Sequence, residues 1–506
     1  MTYSQTRPLR IVVLGGGTAG WMAASLMAKR WAQQGVTVTV LESAEIGIIG
    51  VGEGSTPQLK AFFDSLDIAE SDWMPRCNAT YKAGIQFAGW SEKPGFTQYF
   101  HPFPNEIDER TAPALYFNSV VRRRGADVDA HPDRFFLATR LAQRKLAPLP
   151  AYSFPFRSFY GYHFDAALIG RFLREHSSKR GVLHLEGTVA RVEHAENGDI
   201  LALHTHDGRR IDGDFFVDST GFRSMLLQGA LGVPFRSFAE NLYNDSAVVA
   251  PTPADTDGIH PQTTATALQA GWAWRIPLQN RVGNGYVYSS RYIDKAAAET
   301  ELRAHLGIPD SDPALRHLSM KVGRVEQHWA RNCLAVGLSQ GFIEPLEATA
   351  LHLVQETVEN FISAYSAGGF THTHQSSFND AINARFEGIR DYIVCHYKVN
   401  SRSDTDYWRD NARNAVLSDT LRQILHTWTS SQDLLPEIAR LQIERYYAPA
   451  SWHCLLAGYG CFPASEQLMA PNDKARRYDV ARIDDFLDRC ALNFRPHDEV
   501  LADYRH

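Results

Sequence analysis

Residues 10–24 read RIVVLGGGTAGWMAA, and VTVTVLES follows at 36–43. A short apolar run passes through glycines into helix-favouring residues, and a second β-branched run returns one helix later. That order is a βαβ unit. In Gly15-x-Gly17-x-x-Gly20 the first glycine permits the turn, the second lets backbone approach a pyrophosphate, and the third lets helix meet sheet. Thr18 and Ala19 open the helix, whose N terminus favours phosphate charge. Glu42 closes the second strand roughly 20 residues on, placed for ribose hydroxyls. The stretch predicts a dinucleotide-binding α/β module.

The rest of the chain must accommodate that module. Its 506 residues suffice for two or three domains, or for one large flavoprotein-like unit with a satellite. A composition 44% hydrophobic and 21% charged is that of a globular protein, and the net charge of −6 leaves no basic stripe for nucleic acid. Arg122-Arg123-Arg124 reads as a solvated face. The six cysteines form no C-x-x-C pair, and no secretory signal precedes them. They read as reduced thiols of a cytoplasmic protein. No uncharged apolar run reaches the length of a membrane span.

Residues 181–217 predict a β-meander, with turns at Asn197-Gly198 and Asp207-Gly208. From 347 to 365 the period becomes helical, with Leu351, Val354, Val358, Phe361 and Ile362 on one face. SAGGFTHTHQSS at 366–377 breaks the pattern and is the preferred boundary. His372-x-His374 within it reads as a polar loop, so no metal is expected. The expected division is residues 1–370, a flavin module with a β-rich middle, and 371–506, a mainly helical substrate-covering module. Parts of 80–155 are open to joining the second.

Two segments favour FAD over NAD. GVGEGSTP at 50–57 is a glycine-rich strap containing Gly52 and Ser55, and DSTGFRS at 218–224 sets Asp218 and Gly221 after an apolar strand. With Leu338, these complete the expected cofactor-binding set of Gly15, Gly17, Thr18, Ala19, Gly20 and Glu42. A single G-x-G-x-x-G leaves no built-in nicotinamide site, so reduced flavin is expected from a separate reductase. GLSQG at 337–341 matches the serine hydrolase elbow around Ser339. Pro345 is a poor residue inside the helix that an elbow requires directly after its serine.

GWAWRIPLQ at 271–279 places Trp272, Trp274 and Ile276 on one face of an extended chain ending at Pro277. Alone this is core packing. Together with GGGTAG and GFIEPLEATALHL, it makes the chain resemble the flavin-dependent halogenases of the tryptophan halogenase type, which W-x-W-x-I-P separates from flavin monooxygenases. The resemblance implies a monooxygenase-like α/β flavoprotein fold with a largely helical C-terminal substrate module. It also implies that the two indoles crowd the flavin, admitting halide but no organic substrate. Reduced FAD and oxygen would give a C4a-hydroperoxide, which halide attacks to give hypohalous acid, relayed to Lys82 of ATYKAGIQF. Glu347 would be the acidic partner, a carboxylate able to polarise the halogenating species or to take the ring proton. The N–H groups around Thr349 and Ala350 would hold the halide.

The same resemblance assigns His101 and Phe103 to the sandwich around an aromatic ring, and Tyr446, Tyr447 and Trp452 to an aromatic clamp. Two departures qualify it. Ala448, Pro449 and Ala450 stand where tryptophan-using relatives aim a carboxylate at the substrate amino group, which puts free tryptophan in doubt and leaves a smaller indole, another heteroarene or a carrier-free aromatic metabolite equally open. LEATA replaces Leu-Glu-Ser-Thr-Gly, so Ala348 lacks a hydroxyl and Ala350 restricts a backbone that glycine leaves free. Chloride, the more strongly hydrated ion, suffers more from a lost donor, so bromide is the expected preference. An aromatic hydroxylase and an inert flavin binder are the alternatives. The sequence does not give the oligomeric state, with a homodimer one candidate.

Overall fold

A computed structural model describes residues 8–43, 52–309 and 315–504. The first seven residues, and Gly50 and Val51 of the strap, lie outside the described residues. The chain divides into two units, each assembled from three segments. Residues 1–78, 164–239 and 320–387 form the first, and 79–163, 240–319 and 388–506 the second.

In the first unit, Leu9–Leu14 pairs in parallel with Val36–Glu42 on one side and Phe215–Asp218 on the other. Leu183–Glu186 and Cys333–Ala335 extend this parallel sheet, and Trp329–Ala330 adds an antiparallel edge. Ile11, Val13 and Val217 are fully buried, which is why these strands read as unbroken apolar runs. The helix Thr18–Arg30 follows the glycine turn. The helix Ala350–Ala367 buries Leu351, Val354, Val358, Phe361 and Ile362, the face expected from their spacing. The expected meander is split. Only Val189–His194, Ile200–Thr205 and Arg210–Asp212 form an antiparallel sheet, while the runs on either side join the parallel one. Gly198 and Gly208, at φ 84° and 85°, make the two turns.

The second unit is built on a seven-stranded sheet with Gly271–Pro277 at its centre. Gly271–Pro277 is flanked by Gln262–Leu268 and Arg281–Tyr288, and Gly84–Ala88 and Gln98–Pro102 complete one side. Helices dominate after residue 388, including Pro449–Gly458 and Val480–Ala491. The linear division at 370 is therefore corrected. The glycine turn at 368–369 is present, but the helix Gln375–Lys398 runs through the change of unit, and strands from the middle of the chain belong with the C-terminal helices. Hydrophobic periodicity reports which face of an element is buried, not which core buries it. No helix among the described residues is long and apolar enough to cross a membrane.

Among the described residues, His163, His328, His396, His453 and His497 are buried and held neutral. Burial pushes His328 and His396 down to about 3, His453 and His497 down to about 4, and His163 well below its ordinary value. A folded-state value below the unfolded one gives stability that is complete above the unfolded value, about 6.5, and is lost as pH falls towards the folded value. Glu53 and Asp108, pushed up to about 7 by burial, offset part of this in the same range. Denaturant titrations should therefore show unfolding free energy falling by several kcal/mol, to order of magnitude, between pH 6.5 and 4. A flat profile over that window would contradict the burial of these rings.

Candidate active site

The first unit carries the glycine turn. Gly15 sits at φ 108°, a conformation L side chains avoid, and a Cβ there would collide with the Ser219 carbonyl. Gly17 is the N-cap of the helix Thr18–Arg30, and the space where its side chain would project is open. An opening at the positive end of a helix suits a pyrophosphate. Gly20 lies in the helix's first turn, beside Ala19, and Thr18 Oγ1 donates to the Ala166 carbonyl at 3.0 Å. Glu42 Oε1 meets Arg174 Nη1 at 3.3 Å and His184 Nε2 at 2.6 Å, while Oε2 reaches over Gly16. These residues fit a dinucleotide such as FAD. Gly52 begins the short strand Gly52–Gly54, Ser55 behind it is buried, and Leu338 lies in the turn Gly337–Ser339.

Asp218 orders its own loop. Its carboxylate accepts from Thr220 N at 3.0 Å, Thr220 Oγ1 at 2.7 Å, Leu226 N at 2.8 Å and Leu227 N at 2.9 Å. It thereby shapes the loop containing Gly221 and caps the turn of helix Met225–Ala230. Ser339 is fully buried and donates to the Gly221 carbonyl at 3.1 Å, and the next long helix starts only at Ala350, so the hydrolase elbow is not built.

Glu347 ends the turn Pro345–Glu347 and is buried, as is Thr349. The strain expected at position 350 is absent there. Ala350 is the first residue of its helix, whereas Ala348 occupies the left-handed region at φ 55°, ψ 35°. The turn that ends in buried Glu347 needs one reversal before the helix, and it falls at Ala348, two residues before the position expected from the sequence.

The second unit carries the tryptophan pair and Lys82. Register places Trp274 opposite Ala265 on one neighbouring strand and Gly285 on the other, and Trp272 opposite Ala267 and Val287. A Cβ at Gly285 would meet the Trp274 ring. Small residues on both sides thus leave room for two indoles, whose centroids stand 6.3 Å apart. Ala265 aligns with Phe87, and Phe87 with Tyr99. Because side chains alternate along strands and match across them, Trp272, Trp274, Ile276, Thr263, Phe87, Tyr99 and His101 share one sheet face. On the opposite face Ala273 packs against Tyr286 and Leu302.

Lys82 is fully buried at the end of Thr80–Lys82, a strand of three residues paired antiparallel with His163, Tyr162 and Gly161. Its Nζ lies 5.4 Å from the centroid of Phe103, within the range of a cation–π contact. Two histidines hold this segment. The Tyr81 amide donates to His497 Nε2 at 3.1 Å, so the ring proton is on Nδ1, which donates to the Ile259 carbonyl at 3.0 Å. Thr80 Oγ1 donates to the Pro277 carbonyl at 2.7 Å and lies 3.2 Å from His163 Nδ1. His163 Nε2 lies 2.9 Å from Thr263 Oγ1.

Around His101, Tyr392 stacks on Tyr447 at 3.6 Å and meets Trp452 edge-on at 4.9 Å, and His101 itself at 6.2 Å. His396 stacks on Phe87 at 4.7 Å. Tyr447, Trp452, His101 and Phe103 are thus assembled in one unit, while Tyr446 lies across Gly388. Ala448 caps the helix Pro449–Gly458, so no carboxylate enters from that turn. Tyr392, His396, His163 and His497 escaped sequence reasoning. The spacing Tyr392-x-x-x-His396 on one helix face was the single available signal.

Comparison with known proteins decides the family. The tryptophan halogenase family profile matches residues 10–473. The chain belongs to the tryptophan halogenase family. It is 37% identical to the tryptophan 6-halogenase of Streptomyces toxytricini, over 90% of each chain. It is likewise 37% identical to the 7-chloro-L-tryptophan 6-halogenase of Kutzneria sp. (strain 744), over 98% of this chain and 99% of that one. Among solved structures, the tryptophan C-6 flavin-dependent halogenase (chlorinase) of taromycin biosynthesis superposes with a TM-score of 0.85 at 34% identity, covering 98% of this chain and all (100%) of the other. The protein is thus a flavin-dependent enzyme of this family, with FAD and halide as cofactors.

The backbone around Glu347 predicts opposite effects for one substitution at two neighbouring sites. Ala348→Gly relieves a left-handed alanine and should stabilise by about 0.5–1 kcal/mol. Ala350→Gly, at a helical residue, should destabilise by a similar amount. Paired thermal melts check this, and a fall for Ala348→Gly would refute the assigned turn.

Proposed function

We propose that this halogenase acts on an electron-rich, indole-like arene without an amino-acid backbone, using FADH2 from a separate flavin reductase and preferring bromide to chloride. One observation carries the reading: a fully buried lysine lies 5.4 Å from an aromatic ring, in the unit that also assembles His101, Tyr447 and Trp452. Bound FADH2 supplies, with dioxygen, the two-electron oxidation of halide. Lys82 then holds the oxidised halogen by an N–H contact or an N–X bond, so that it meets the ring instead of diffusing away. The aromatic walls fix which ring carbon is presented. Electrophilic substitution forms the carbon–halogen bond and releases a ring proton to a base. Thr349 and the first N–H groups of the helix Ala350–Ala367 are the halide site of this reading.

Bromide preference follows from Ala348, which offers no hydroxyl to replace the hydration of the smaller anion. The lack of a carboxylate in the turn at 448–450 supports an arene that brings no ammonium group.

With a flavin reductase, NADH, bromide and indole, the expected product carries the bromine isotope pair. Lys82→Ala should preserve flavin oxidation while abolishing halogenation. Hydroxylated indole instead would identify an aromatic hydroxylase, and halogenation surviving Lys82→Ala would remove Lys82 from the mechanism. In a mixture of equal chloride and bromide, brominated product should dominate, and Ala348→Ser should shift the ratio towards chlorination. Chlorinated product in excess from the unmodified protein would overturn the halide assignment.

A further inference from the structure

We propose that His163 is a positioning residue for Lys82, tying the three-residue lysine strand to the Trp-x-Trp-x-Ile-Pro strand and to its neighbour through one hydrogen-bonded node. The inference rests on the reading that Lys82 carries the halogen. Its geometry lies within the second unit. Thr80, Lys82 and His163 project from one face of the ladder, since Thr80 stands opposite His163 and Lys82 opposite Gly161. The Thr80 hydroxyl hydrogen is committed to the Pro277 carbonyl at 2.7 Å. His163 Nδ1, 3.2 Å from the same oxygen, must therefore be the donor. In a neutral ring Nε2 is then the acceptor, and Thr263 Oγ1 donates to it from 2.9 Å. The imidazole joins three segments distant in sequence, and the order of its donors and acceptors admits one tautomer.

The neutral state has support of its own. Burial, followed by the nearby charge of Lys82 and then His497 and Arg275, drives His163 well below its ordinary value. A second cation is thereby kept off the face from which Lys82 projects. The need for such a node follows from the brevity of the strand: three ladder residues, the last of them opposite a glycine, fix the direction of a long side chain poorly. The bond from His163 to Thr80, two residues before Lys82 on the same face, supplies the missing restraint.

The test uses the full chain with reductase, NADH, bromide and indole, and reads brominated indole formed per NADH consumed, indole KM and Tm. His163→Phe keeps the ring's bulk and removes both hydrogen bonds. It should lower the product-per-NADH ratio on the order of 10- to 100-fold, with KM changed by no more than about threefold. Thr80→Val should show the same loss, and the double variant little more than either single one, because both break one arm. His163→Asn retains an N–H at the Nδ1 position and should recover most of the ratio. A ratio within about twofold of the unmodified protein in His163→Phe or Thr80→Val would overturn the proposal. So would His163→Asn doing no better than His163→Phe, or losses that merely track Tm. Should His163→Phe fail to fold, Thr80→Val and His163→Asn decide alone. Lys82→Ala separates the two readings. Survival of halogenation there refutes the role of Lys82, whereas its loss there with full coupling in His163→Phe refutes the node alone.

Discussion

Burying a lysine is the costly step around which the second unit is organised. An amine removed from water loses its hydration, and the aromatic ring of Phe103 returns only part of that. The side chain nonetheless stays inside, because the backbone on which it stands has no alternative position. His497 holds the amide at Tyr81, His163 and Pro277 hold the hydroxyl at Thr80, and the Ala83 amide donates to the Pro261 carbonyl at 2.6 Å. Rigid surroundings make such a residue useful. An ammonium free to turn towards solvent would do so.

The central sheet solves a related problem with opposite means. Two tryptophans cannot sit side by side on a flat sheet unless their neighbours are small. Ala265, Ala267 and Gly285 meet that need and could be matched to the indoles only once the register was known. The outcome is one sheet face that carries the tryptophan pair and, across the alanines of the next strand, the rings of Phe87, Tyr99 and His101. What began as an oddity of composition is thus a surface, and the surface belongs to the unit that holds the lysine.

How much could be read beforehand depended on sequence distance. The βαβ start is local: strand, glycine turn, helix and Glu42 all lie within one stretch, and each element follows from residues beside it. The helix over Leu351–Ile362 is equally local. Lys82 was legible through family resemblance alone, since one lysine in ATYKAGIQF has no periodic signature. His163 and His497 lie far along the chain from the strand they hold, and pairing at such separations leaves no trace in a single sequence. Asp218 was ambiguous for a different reason. An aspartate after an apolar strand can face a ligand or cap its own loop, and only the positions of the Leu226 and Leu227 amides distinguish the two. The alanine strain was placed two residues late because residue identity marks a turn without saying which φ changes sign.

The threefold segmentation of each unit bears on how the protein is made. The parallel sheet around Leu9–Leu14 takes the strands of one edge from residues 329–335 and its covering helix from 350–367. While the ribosome is still translating the middle of the chain, the glycine turn therefore has neither its final neighbours nor its roof. Distant pairings of this kind close late and leave apolar edges exposed meanwhile. Recombinant yield should accordingly respond more to synthesis rate and to chaperones that shelter open strands than to growth temperature alone.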